Sequence, residues 1–401
     1  MAAQEYHAPE SISRLQQWAL LIGGVALLIS ILGAVRNPGD FYQSYLMTFL
    51  LFLGLTVGSL GLVMLQHLTS GHWGIIIRRP LESATRTLPL MVVAFLPIAI
   101  FGVHYLYSGH DKEKGWLNAP PTGEGALSEF QKSYLTLNGF YIRAVIYFAV
   151  WLLLMFIFNV LSKQQDAKPE DRALRLRFKM LAGPGIILYV FVMSFAAIDW
   201  VMSLSPHWAS SIYGFLFVAG QLISSMAFMI AVVVLLARTE PFASVLQKRH
   251  LHDLGKLLLA FVMLWAYFDF SQLLIIWSGN QPEEISFYLT RLYGGWGVVA
   301  VIVLVFHFFV PFFLLLSQDV KRNAKVLPKI AMWLIFMRLV DLFWMTRPEF
   351  TSRAVPTWLD IVLPIALGGL WLGFFAFNLK QCPLLPLGDP KLAEAIEHHE
   401  H

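Results

Sequence analysis

Ten separate apolar runs, each of about twenty residues, dominate the chain. A helix of that length crosses the hydrocarbon core of a bilayer, roughly 30 Å thick. Spans are therefore expected near residues 18–35, 44–66, 86–107, 142–162 and 180–203. Five more are expected near 210–236, 256–278, 292–316, 326–345 and 357–378. With 57% of its 401 residues hydrophobic and 13% charged, the sequence excludes a soluble enzyme, which would carry about twice that charge. The expected fold class is all-α, a polytopic membrane protein with ten transmembrane helices.

An even number of spans puts both termini on one side, so Lys and Arg can be assigned to faces. The loops on the terminal side hold 20, among them Arg78, Arg79 and Arg86, and the opposite loops hold 8, among them Arg143, Arg291 and Arg347. Arg338 falls inside a span. Basic residues favour the cytoplasmic face, so both termini are expected there. The first span carries Glu5 and Glu10 on its flank and lacks a small-residue cleavage pattern, so it is expected to remain as a helix. Trp18, Trp116, Trp200, Trp208, Trp277 and Trp358 sit at span ends and suit an interfacial aromatic belt. The longest loop, about residues 108–141, is a candidate docking surface. Residues 394–401, rich in His and Glu, form an expected solvated tail.

Ionisable groups in hydrocarbon need a partner or water, so each is a functional candidate. Asp199 lies toward the outer end of the fifth span, with Ser203 one turn further on. Asp269 is the deepest acid, 13 residues after Lys256 and so roughly 20 Å along the seventh helix, with Gln272 on the same face. Arg338 and Asp341 in the ninth span have the i, i+3 spacing of an intrahelical ion pair. His307 in the eighth span, Tyr267 and Ser271 in the seventh, and Tyr213 and Gln221 in the sixth complete the set. Each also has a bland reading, as a satisfied interior side chain or as interhelical hydrogen-bond glue.

A membrane haem needs axial histidines at matching depth. His104 lies near the outer end of the third span and His307 in the cytoplasmic half of the eighth, so no haem is expected. The single cysteine, Cys382, excludes an internal disulfide and an iron–sulfur or thiolate metal site built by this chain alone. No cofactor or metal is expected in the chain. No nucleotide motif stands out, and no nucleic-acid partner is expected. The pairs Gly23-Gly24, Gly294-Gly295 and Gly368-Gly369 fit close helix packing. Pro97, Pro184, Pro311 and Pro364 interrupt four spans and are kinks or breaks.

The stretch from Asp199 to Leu204, followed by Pro206-His207-Trp208 and by Ser211 to Gly214, resembles one family. So do His250 to Lys256, Trp265 to Phe268, Phe270-Ser271-Gln272, Ile276-Trp277, Gly279-Asn280 and Pro282-Glu283-Glu284. Together they are similar to the F subunit of alternative complex III, a bacterial quinol:cytochrome c oxidoreductase. That subunit is an NrfD-like, polysulfide-reductase-type membrane protein of the cytoplasmic (inner) membrane. The resemblance covers nearly the whole chain. It implies four-helix bundles over 44–203 and 204–345, flanked by the first helix in 1–43 and the tenth in 346–401. It also implies a quinol-oxidising NrfD-like sister subunit, an iron–sulfur protein, c-type cytochrome subunits and small membrane subunits as partners, besides lipids. Haem c and iron–sulfur clusters would lie in those partners. Asp199, Ser203, Tyr213, Tyr267, Ser271 and Gln272 fall in the matching motifs, and Asp341 with Trp344 and Pro348 resembles the ninth-span pattern. Two departures stand out: Arg338 where the pattern has a histidine, and Asp269 where it has an apolar or aromatic residue.

The first expectation is a redox-free respiratory subunit that conducts protons. Asp269, Arg338 and Asp341 would form a buried relay, extended inward by His307 with Tyr267 and outward by Asp199 with Ser203. The alternative is a quinol-binding subunit using His67, His72 or His104 with Tyr105. A secondary transporter with kinked helices is a third reading.

Overall fold

The computed structural model describes residues 7–71, 73–110, 113–123, 125–169, 171–389 and 392. The predicted tail at 394–401 lies outside the described residues, as do Glu5, His72, Lys112 and Lys391. The protein is all-α and polytopic, with nine helices among the described residues long and apolar enough to cross a membrane. In chain order they are α1 (Glu10–Arg36), α2 (Pro38–Thr69), α3 (Trp73–Tyr107), α4 (Leu137–Ala167), α5 (Ala173–Leu204), α6 (Tyr213–Leu236), α7 (Lys248–Gly279) and α8 (Trp296–Leu316), and finally α10 (Leu359–Lys380). Between the last two lies α9 (Leu327–Thr346), a 20-residue helix over the predicted ninth span. Lys329, Arg338 and Asp341 put three charges into those 20 residues.

Helix α2 lies at the centre, with 94% of its most apolar stretch buried, whereas α8 has 22% buried and faces outward. Helix α2 packs on α3, α5, α6, α9 and α10, and α6 packs on α5, α7 and α9. Among spans that are all apolar, the hydrophobic effect does not choose neighbours, so close backbone approach and interhelical hydrogen bonds do. Helices α1 and α10 run against each other where Gly23 faces the backbone of Gly369, with no room for a Cβ at either. Gly368 takes the ring of Phe52 from α2, while nothing lies against Gly24. Gly294 and Gly295 serve a different end from helix packing. Both have positive φ, 64° and 93°, and form the turn that starts α8. Ser225 of α6 donates to the Leu55 carbonyl of α2 at 3.1 Å, and Trp371 of α10 to the Thr56 hydroxyl at 2.8 Å.

Helix α3 begins at Trp73, well before the predicted start near residue 86. Gly74 to Thr85 are fully buried, and the helix turns at Arg86–Thr87 before continuing from Leu88. Two of the predicted kinks coincide with wider turns. Pro97 precedes a π-helical turn at Ile98–Gly102, and Pro311 follows another at Leu304–Phe309. Pro184 and Pro364 lie inside continuous helices.

The aromatic belt divides in two. Trp18, Trp277 and Trp358 are exposed as interfacial anchors, but Trp116, Trp200 and Trp208 are buried inside the protein. Trp200 packs among Phe95, Phe148 and Trp151, with ring centroids 4.8, 5.9 and 6.1 Å away. The 108–141 segment folds back on this end of the molecule through Trp116, whose ring lies 5.4 Å from that of Tyr107. It closes with a short helix, Glu129–Tyr134, capped reciprocally by Ser128 and Gln131.

Candidate functional site

Three buried polar clusters stand out. The first lies among α7, α8 and α9. Helix α7 packs on the Leu304–Phe309 and Val310–Leu316 turns of α8, whereas the Trp296–Val303 turns lean on α9. The helices therefore diverge toward the start of α8 and leave a cleft of about 630 Å³. Asp269 and Asp341 line it together with Trp265, Tyr288 and Arg291, and most of the remaining wall is apolar. Met263, Phe270, Val301 and Leu304 form an exposed rim, so the cleft opens where lipid would surround the protein.

Arg338 pairs with Asp341 one turn away, as their spacing predicts, and both are buried. Gly220 of α6 makes the room: any Cβ there would fall on the guanidinium. The Arg338 charge also lies 5.5 Å from the Phe217 ring. Asp269 is half-buried and makes no ion pair among the described residues, so it is not neutralised by Arg338. Gln272, one turn on, accepts from the Ser210 hydroxyl at 3.0 Å and donates to the Tyr288 hydroxyl at 3.3 Å. Burial first, then the Asp269 carboxylate, raises the Tyr288 phenol above its ordinary value, so it stays protonated.

His307 is completely buried in the π turn of α8, its ring edge-on to Trp265 at 4.4 Å. Among the described residues neither ring nitrogen has a hydrogen-bond partner. Tyr267 does not join it. That side chain is 64% exposed on the outer face of α7, against Phe268. Ser271 is half-buried on α7, and Tyr213 is buried against Trp208 and Phe217. Gln221 bridges helices by accepting from the Tyr189 hydroxyl at 2.9 Å.

The second cluster surrounds Asp199 on α5. Arg143 of α4 pairs with it at 2.7 Å, and the Tyr147 hydroxyl donates to the same oxygen at 2.6 Å. Arg143 also lies over the Tyr134 ring at 3.9 Å. Burial, then Asp199, pushes the Tyr134 phenol up to about 12. The Ser203 hydroxyl donates to the Asp199 backbone carbonyl at 2.6 Å, not to its carboxylate. Asp199 is thus ion-paired through one carboxylate oxygen, while its Oδ1 has no hydrogen-bond partner among the described residues.

The third cluster was unexpected. Arg78 and Arg79, assigned to a loop from sequence, are 1% exposed inside the buried first part of α3. Glu82 pairs with both, at 3.0 and 2.7 Å, and Asp389 takes Arg78 at 3.0 Å. Asp166 pairs with Arg79. The opposite face has its counterparts. Arg291 pairs with Glu349 at 2.7 Å, and Arg347 with Asp360 at 3.2 Å. Arg143, Arg291 and Arg347 are therefore structural cations, not free loop charges.

Sequence reasoning missed Arg143, Tyr147, Gly220, Tyr288 and Arg291. The available signal was an Arg at the edge of an apolar helix, which demands an acid at matching depth. Of the quinol-site candidates, His67 ends α2 at the α2–α3 connection and stacks on Phe178 at 4.0 Å. His104 and Tyr105 lie at the far end of α3, where Tyr105 stacks on Tyr42 at 5.3 Å. The two groups share no cleft. No protein-family model matches the chain, and no curated protein matches its sequence.

Proposed function

We propose that this is a cofactor-free integral subunit of a respiratory quinol:cytochrome c, or equivalent, oxidoreductase in the bacterial inner membrane, where it passes protons while partners carry the electrons. Those partners are the NrfD-like sister subunit, the iron–sulfur protein, the c-type cytochromes and small membrane subunits. One observation carries the proton reading. Asp269 is a carboxylate without an ion pair among the described residues, within a helix bundle and at a cleft it shares with Asp341. A group that exchanges protons must be free to change charge, and a free acid at this depth needs a functional reason. Arg338–Asp341 fixes the charge beside it, and Tyr288 with Gln272 and Ser210 supplies a hydrogen-bonded chain toward the end of the helix bundle. Asp199, held by Arg143 and Tyr147, has a structural part in this reading. The assembled complex in vesicles provides the test. Asp269→Asn should lower the ratio of protons moved to electrons passed while quinol oxidation continues. An unchanged ratio would remove Asp269 from any path.

A second reading, quinol binding by this subunit, draws support from the same cleft, whose apolar walls open toward lipid and whose depth offers a phenol and carboxylates. It places the ring near Tyr288 and Asp269, away from His67 and His104. A quinone-analogue photolabel should then map to α7 and α8. Labelling confined to the sister subunit would end this reading.

A further inference from the structure

A second cavity, of about 340 Å³, lies at the end of the molecule that carries the α2–α3 and α4–α5 connections. Its wall combines Gln66 and His67 of α2, Arg78 of α3, and Arg175 and Lys179 of α5. The donors of Arg78 are spent on Glu82, Asp389, Ser162 and Gln165, at 2.7 to 3.2 Å. Asp389, the one carboxylate in the wall among the described residues, is held by that guanidinium. Arg175 and Lys179 are different. They lie one turn apart on α5, both exposed, and neither forms an ion pair among the described residues. His67 is 8% exposed, and its Nε2 has no hydrogen-bond partner among the described residues. A buried donor or acceptor without a partner is costly unless a ligand or water completes it.

We propose that this cavity binds a phosphoryl group. Arg175 and Lys179 supply charge, and the His67 imidazole supplies a hydrogen bond from the wall. Leu176 and Met180, 59% and 65% exposed beside Arg175 and Lys179, continue the site as an apolar surface. Cations at the end of a span bordered by exposed apolar side chains match the level where a phospholipid headgroup meets its acyl chains. Free phosphate offers the same group without the chains.

Binding is measured on the full-length protein, delipidated in detergent, by native mass spectrometry and by the shift of its thermal midpoint. The probes are phosphatidylglycerol, diacylglycerol, which has the acyl chains without the phosphoryl group, and inorganic phosphate. The comparison variant is Arg175→Ala/Lys179→Ala, which removes exposed, unpaired side chains, with His67→Phe as a second variant that keeps the stacking on Phe178. Each surface cation contributes about 1 kcal/mol to anionic-lipid attraction, so the double variant should bind phosphatidylglycerol about thirtyfold more weakly. His67→Phe should also weaken it. Retention of phosphatidylglycerol over diacylglycerol, with weaker stabilisation by inorganic phosphate, identifies a lipid headgroup as the source, and equal stabilisation by inorganic phosphate identifies the free ion. No preference for either phosphoryl probe over diacylglycerol, or equal binding by wild type and double variant, overturns the proposal.

Discussion

Gly220 lies flat against the guanidinium of Arg338, so that a methyl group at Gly220 would occupy the space the cation fills. A single missing side chain on α6 thereby sets where the buried charge of α9 sits. Gly220→Ala should destabilise the protein by about 1–3 kcal/mol, the usual cost of overpacking. Combined with Arg338→Ala, it should cost much less than the sum, because the clash has been removed. Thermal or denaturant unfolding of the four proteins checks this, and strict additivity would mean that the two sites do not touch.

The Asp199 carboxylate depends on two donors from α4. Tyr147→Phe removes a hydrogen bond to a charged group and should cost about 1.5–3 kcal/mol. Arg143→Gln leaves the buried carboxylate uncompensated and should cost more, up to about 5 kcal/mol. Ser203→Ala should leave both proton movement and this pair unchanged, since its hydroxyl bonds only the backbone.

Alkali should act on Tyr134. Its phenol lies at about 12 in the folded protein against an ordinary 10, so the fold holds a proton that the unfolded chain releases. The stabilisation is complete below pH 10 and is lost as pH rises to about 12. In Tyr134→Phe the decline of stability over that interval should be shallower than in wild type, with the two curves parallel below it. Parallel curves throughout would contradict the assignment.

The spans were legible because length and apolarity report directly on the bilayer, and the Arg338–Asp341 pair because both partners lie on one helix. Pairings between helices were not. Nothing near Asp199 in sequence names Arg143, 56 residues earlier, as its partner, and nothing near Arg78 names Asp389. The same limit explains why Arg78 and Arg79 read as loop charges: a buried helix that is neutralised by remote acids has the local composition of a basic loop. Trp200 and Trp208 read as interfacial anchors for the same reason, because their position at helix ends says nothing about what folds over them. That His307 lies within the eighth helix was legible, but only its surroundings reveal that both nitrogens lack partners among the described residues.

The contrast between an acid without an ion pair and one paired to a cation is tested most directly by chemical access. Membranes holding the intact protein can be treated with a hydrocarbon-soluble carbodiimide and its carboxyl adducts located by mass spectrometry. Asp269, at a cleft open toward lipid and without an ion pair, should be modified, while Asp199, locked between Arg143 and Tyr147, should not. Proton movement should fall in step with the Asp269 adduct. Modification of Asp199 with Asp269 untouched, or full modification of Asp269 with undiminished proton movement, would contradict the account.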